Sequence, residues 1–113
     1  MNGAHSVVLT TAASRSDARE IARRVLSDRL AACVQLLPIE SLYTWKGEVA
    51  EEAEILLLIK TRAELYGALE HVILSVHSYE TPEILMLPVA QGLTGYLSWI
   101  DEVTSLRVPA QDE

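Results

Sequence analysis

The chain is poor in cysteine, in basic residues and in long apolar runs, and each shortage excludes something. A single cysteine, Cys33, cannot close an internal disulfide. No stretch combines a charged start with an apolar core as a secretory leader does, and no apolar run approaches the ~18 residues a membrane-spanning helix needs. Basic residues number 9 against 16 acidic ones, leaving a net charge of −7 and a pI near 4.9. Nucleic acid and anionic membranes are poor partners for such a surface, since both require counterion displacement by lysine and arginine. Cations remain compatible partners. Also missing are a glycine-rich phosphate loop, a His-Glu-x-x-His pair, and a serine or cysteine nucleophile with a histidine beside it, which argues against an enzyme. The expectation is a reduced, soluble, cytoplasmic protein.

With 113 residues, half of them apolar, the chain has the length and composition of one globular domain. Residues 6–105 are expected to form its core, with 1–5 and 107–113 frayed and His5 in the loose end.

Periodicity orders the elements. Val7 to Thr11 reads as a short β-branched strand. Ala18, Ile21, Ala22, Val25, Leu26 and Leu30 recur at helical spacing, behind a cap at Ser16 or Asp17, in a helix expected to end near Ala31. Residues 33–45 and 48–60 flank Lys46-Gly47, a turn that permits positive φ, so they form one long hairpin. Pro38 places its first arm at a sheet edge or at a bulge. Thr61-Arg62-Ala63-Glu64 reads as a capping box before a second helix reaching His77. Residues 83–89 make a last strand, and Thr94 is expected to cap a third helix with Tyr96, Ile100 and Val103 on one face and Trp99 at its margin. The order is that of an α+β, ferredoxin-like βαββαβ sandwich with an additional C-terminal helix and a long central β-hairpin.

The strands point to self-association. A sheet covered by helices on one face alone should alternate apolar and polar residues, yet "ILLLI" (55–59) and "ILMLPV" (84–89) are apolar throughout. Leaving such positions wet costs about 1.5–3 kcal/mol each relative to burial. Tyr43 and Trp45 near the hairpin tip, and Trp99 on the last helix, are candidate interface residues.

For ligand chemistry the stretch "HSYETPEILMLPV" (77–89) stands out. The imidazole of His77 suits copper, nickel or zinc, and Glu80 and Glu83 could complete a nitrogen/oxygen sphere. The structural alternative is a helix-ending histidine that meets the last carbonyls. Topology brings Thr10, the region of Glu54 and the 79–83 segment to one end of the sheet and sets Cys33 roughly 15–20 Å away, as a core cysteine. Glu48, Glu51, Glu52 and Glu54 read as a solvated acidic arm, His71 as exposed, and the arginines of the first helix as a solvated surface.

"RLAACVQLLPIESLYTWKGEVAEEAEILLLIKT", "HSYETPEILMLPV" and "GYLSWIDE" together resemble the CutA family of divalent-cation tolerance proteins over nearly all of residues 6–104. The resemblance implies a ferredoxin-like subunit in a homotrimer paired through its strands, and a response to copper or other divalent metal ions. It also leaves open a signalling or scaffold trimer, similar to nitrogen-regulatory PII-type proteins, that takes a small molecule or protein partner in clefts between subunits. Two departures stand out: Ser78 follows His77 where the family commonly has proline, and Thr10 occupies the place of a cysteine found in some members.

Overall fold

The computed structural model describes residues 4–105; of the segments expected to fray, 1–5 and 107–113, residues 1–3 and 107–113 lie outside the described residues. In chain order the elements are β1 (His5–Ala12), α1 (Arg15–Ser27), β2 (Cys33–Trp45), β3 (Glu48–Arg62), a single 3₁₀ turn (Ala63–Leu65), α2 (Tyr66–Val76), β4 (Ile84–Pro88) and α3 (Thr94–Val103). The strands form one antiparallel sheet in the order β2-β3-β1-β4. The expected α+β, ferredoxin-like arrangement with an extra helix is the observed one.

Strand alternation divides the sheet into two faces. Val8, Thr10, Leu57 and Ile59 share one face, fully buried with Ala18, Ile21 and Val25 of α1 and Leu69 and Ile73 of α2. The opposite face carries Val7, Leu9, Leu56, Leu58, Leu85 and Leu87. α3 lies over one end of that second face. Arg62 donates from Nε to Thr104 Oγ1 at 2.9 Å and from Nη2 to the Thr104 carbonyl at 3.0 Å, placing a cation on the C-terminal carbonyls of α3. Lys60 Nζ sits 5.9 Å from the Tyr96 ring centroid. The rest of the face stays open, with Leu37, Leu85 and Leu87 about half exposed, at 45%, 53% and 48%.

The hairpin forms as its turn chemistry predicts. Lys46 and Gly47 both have positive φ, 53° and 81°, the requirement of a type I′ turn. β1 ends opposite Ile55, so the seven pairs from Ile39↔Glu54 to Trp45↔Glu48 project past it, and the molecule reaches 52 Å along its longest axis. Pairing runs unbroken through Pro38↔Ile55, so proline is accommodated by the edge position of β2 and not by a bulge.

Several helix ends differ from expectation. Ser14, not Ser16 or Asp17, caps α1: its extended backbone lets Oγ accept the Asp17 N–H at 3.1 Å. α1 ends at Ser27, because Arg29 turns left-handed with φ 59° and sends Leu30 back into the core. Thr61 caps nothing. β3 continues opposite Ser6 and His5, and the buried Thr61 hydroxyl donates to the Leu30 carbonyl at 2.7 Å. Thr94 is the first residue of α3, and Leu93 precedes it without a side-chain cap. His5 is no loose end: it pairs with Arg62 in the sheet, and its Nε2 lies 2.8 Å from Asp101 Oδ1 of α3.

Arg29 holds a conformation that disfavours any residue with a Cβ, at the position after a helix where glycine is preferred. Arg29→Gly is expected to raise the unfolding free energy by about 0.5–1 kcal/mol, measured by denaturant titration. A decrease would show that the arginine side chain contributes more than its backbone costs.

Candidate functional site

The end of α2, the connection to β4 and the root of the projecting hairpin meet at one place. Val76 ends the helix and His77 turns extended, its N–H still bonded to the Ile73 carbonyl at 2.9 Å. The imidazole then points across to β1, where Nε2 lies 2.7 Å from the Thr11 carbonyl. A carbonyl only accepts, so Nε2 carries the proton. Nδ1 therefore has a free lone pair, and the Tyr79 backbone N–H donates to it at 3.0 Å. The two ring nitrogens thus hold a strand end and a loop together.

Tyr79 extends the chain of contacts. Its ring lies 4.9 Å from that of His77, and its hydroxyl donates to Glu54 Oε2 of β3 at 2.8 Å. Burial first, then the hydrogen bond to Glu54 and the charges of Glu54 and Glu52, push the Tyr79 phenol above its ordinary value. Farther along the arm Tyr43 donates to Glu52 Oε1 at 2.9 Å, and this bond leads the causes that raise the Tyr43 phenol. Thr11, His77, Tyr79 and Glu54 thus form a continuous bridge from the sheet to the base of the arm.

The convergence of Glu54 with the 79–83 segment matches the topological expectation. Cys33 stands opposite Lys60, which stands opposite Val7, four positions from Thr11. Four residues along and two strands across put its Cα about 16 Å from that of Thr11. Cys33 is half-buried, not a core cysteine. Glu80 and Glu83 are exposed, and His71 is exposed as expected.

The three residues expected as metal ligands are not assembled as a ligand set. Among the described residues no three His, Cys, Asp or Glu side chains gather closely enough to hold a metal ion. His77 has no free ring nitrogen while both backbone hydrogen bonds stand, so within one subunit this donor set does not fit a resident metal. Residue type revealed the histidine. Its backbone partners carry no sequence signal. Sequence reasoning also missed Arg62 as the clamp on α3; its place on the open face becomes legible only once β3 is known to run two residues further.

The candidate interface residues Tyr43, Trp45 and Trp99 are 39%, 60% and 39% exposed, and Trp99 packs on Tyr96 with 5.6 Å between ring centroids. Tyr43, Trp45 and Ile39 alternate on the same side of the arm as Glu48, Glu52 and Glu54.

The folded state favours the neutral Tyr79 phenol, so this group's contribution to stability is fully present below pH 10, the ordinary tyrosine value, and is lost as pH rises above it. In Tyr79→Phe the loss of stability above pH 10 should be shallower than in the parent, read from denaturant midpoints at successive pH values. Identical slopes would mean that the phenol titrates alike in the folded and unfolded chains.

Residues 6–103 match the family described as CutA1 divalent ion tolerance protein. Protein CutA of Mus musculus is 47% identical over 103 residues, which are 90% of this chain and 58% of that protein, so the chain spans little more than half of that relative's length. The divalent-cation tolerance protein CutA of Thermus thermophilus is 44% identical over 99 residues, 87% of this chain and 96% of that one. Among solved structures, the periplasmic divalent cation tolerance protein CutA from Archaeoglobus fulgidus superposes with a TM-score of 0.88 at 38% identity, over 89% of this chain and 99% of that one. The structure of CutA1 from Oryza sativa gives 0.85 at 39% identity, over 88% and 92%. A match that runs through all four strands and three helices places this chain in the CutA1 divalent ion tolerance family.

Proposed function

We propose that the chain works as a homotrimer in the tolerance of divalent cations, copper among them, in the cytoplasm and without catalysing a reaction. The observation that carries the assembly is the open sheet face. Leu37 on β2 and Leu85 and Leu87 on β4 stand about half exposed there, on edge strands whose outer hydrogen-bonding groups meet no partner strand among the described residues. The cation role rests on the family and on the names of its relatives, which describe tolerance and not a chemical step. Residues 6–105 act as one domain in this reading.

His77, Glu80 and Glu83 enter as ligands only if His77 gives up its bond to Thr11 or to Tyr79, so cation binding there requires the 77–83 connection to open. The saturated imidazole favours a second reading, in which the bridge is structural and the trimer is a signalling or scaffold unit, with its small molecule or protein partner seated in clefts between subunits. Titration with Cu²⁺ followed by calorimetry separates the two. His77→Ala should weaken binding by about tenfold or more if the imidazole is a ligand, the scale of losing one strong ligand interaction. Unchanged affinity would remove the assignment and leave the scaffold reading.

Assembly has its own test. Leu87→Asp alters a residue that a solitary subunit leaves half exposed, where losing the buried half costs about 1 kcal/mol at every protein concentration. In the trimer the same change places a carboxylate in an apolar contact, and the melting temperature should fall further and become strongly dependent on protein concentration. A melting temperature unmoved, or lowered equally at every concentration, would contradict the proposed interface.

A further inference from the structure

The layer opposite the open face carries a feature that neither the bridge nor the proposed trimer uses. Five of the chain's nine basic residues belong to α1 or the turn after it. Arg24 Nε pairs with Asp28 Oδ2 at 3.0 Å, and Arg29 lies beyond the helix. Arg15, Arg19 and Arg23 follow one another at four-residue intervals along a single edge of the helix, all exposed and none ion-paired with a described residue. The remaining described cations are engaged elsewhere: Arg62 on Glu64 and Thr104, Lys60 over Tyr96, Lys46 over Trp45.

This row is unfavourable for the helix that bears it. Like charges four residues apart repel, which happens twice here. Arg15 is also the first residue of α1, where the helix dipole is positive and favours acids. The acids of α1, Asp17 and Glu20, lie toward its other edge, together with Arg24 and Asp28. Glu20, three residues before Arg23, offsets part of this; the repulsions that remain cost a few tenths of a kcal/mol each at an exposed helix, and a negative partner relieves them.

We propose that Arg15, Arg19 and Arg23 form a docking stripe for a carboxylate-rich segment of another protein. The arginines rise about 6 Å from one to the next, matching carboxylates four apart on a helix or, at about 6.6 Å, alternate residues of a strand. Guanidinium groups bind carboxylates through two parallel hydrogen bonds, so three pairs fix a register as well as a charge. Leu26, 39% exposed and seven residues after Arg19, supplies an apolar foothold on the same edge. A duplex or a bilayer would present anions over an area far wider than three arginines and would meet the −7 charge of the rest of the chain.

Fluorescence anisotropy of a labelled helical peptide with three glutamates at four-residue spacing, titrated with the full chain, tests this. Binding at low salt should weaken as salt is raised, and the triple variant Arg15→Glu, Arg19→Glu, Arg23→Glu should weaken it by about tenfold or more, as expected for three exposed charge pairs turned repulsive. Arg24→Glu, on the other edge, should leave it unchanged. The triple variant places acids near a helix N-terminus, so its circular dichroism should match the parent's. No peptide binding at low salt would overturn the proposal, as would equal loss in Arg24→Glu. So would tighter binding to phosphatidylserine vesicles or single-stranded DNA than to the peptide, which would reassign the stripe to phosphate.

Discussion

An antiparallel sheet with helices on one face and apolar side chains on both is the constraint from which the rest of the molecule follows. α1 and α2 seal Val8, Leu57 and Ile59, and α3 shields only the end of the other face nearest Arg62. Burying the exposed halves of Leu37, Leu85 and Leu87 is worth about 1 kcal/mol each. Over the nine such leucines of a trimer that is about 9 kcal/mol, toward the low end of the roughly 8–30 kcal/mol that two association steps cost in lost freedom. Leucines alone therefore leave the proposed trimer marginal. The rest must come from the aromatic side of the arm, Tyr43 and Trp45, and from the two open strand edges.

The bridge at the base of the arm takes its meaning from the same constraint. A hairpin that overhangs its sheet by seven pairs is free to swing unless something ties its root. Tyr79 ties it through Glu54, and His77 fixes Tyr79 by accepting its backbone N–H on Nδ1 while Nε2 donates to the Thr11 carbonyl. A histidine that first suggests a ligand is, in the folded subunit, a cross-brace between β1 and the connection before β4. Cation binding by His77 and stiffness of the arm then compete for the same atoms, so the two proposed functional readings are physically opposed. α3 is held in a comparable way, by Arg62 on its C-terminal carbonyls and by His5 beside Asp101.

Much of this was legible in the residues because local chemistry decided it. Lys46-Gly47 specified the turn, and with it the pairing of every residue from Cys33 to Trp45. Uninterrupted apolar strands announced a second apolar face. What misled were local signals overridden by tertiary pairing. Thr61 to Glu64 has the form of a capping box, yet the ladder with Ser6 and His5 claims the first two positions and carries the strand on to Arg62. His5 looked like a loose end because its partners, Arg62 and Asp101, are 57 and 96 residues away. The site shows the same division: Glu54 and Tyr79 could be brought to one end by topology, whereas the Thr11 carbonyl and the Tyr79 N–H, which occupy His77, belong to backbone that any residue has.

The most direct test of the central claim is sedimentation equilibrium of the unaltered chain at micromolar concentration. The open apolar face, the aromatic side of the arm and the two free strand edges together predict a single species of three times the 12.5 kDa subunit mass. A folded 12.5 kDa species persisting at that concentration would contradict it and would remove the intersubunit clefts as places for any ligand.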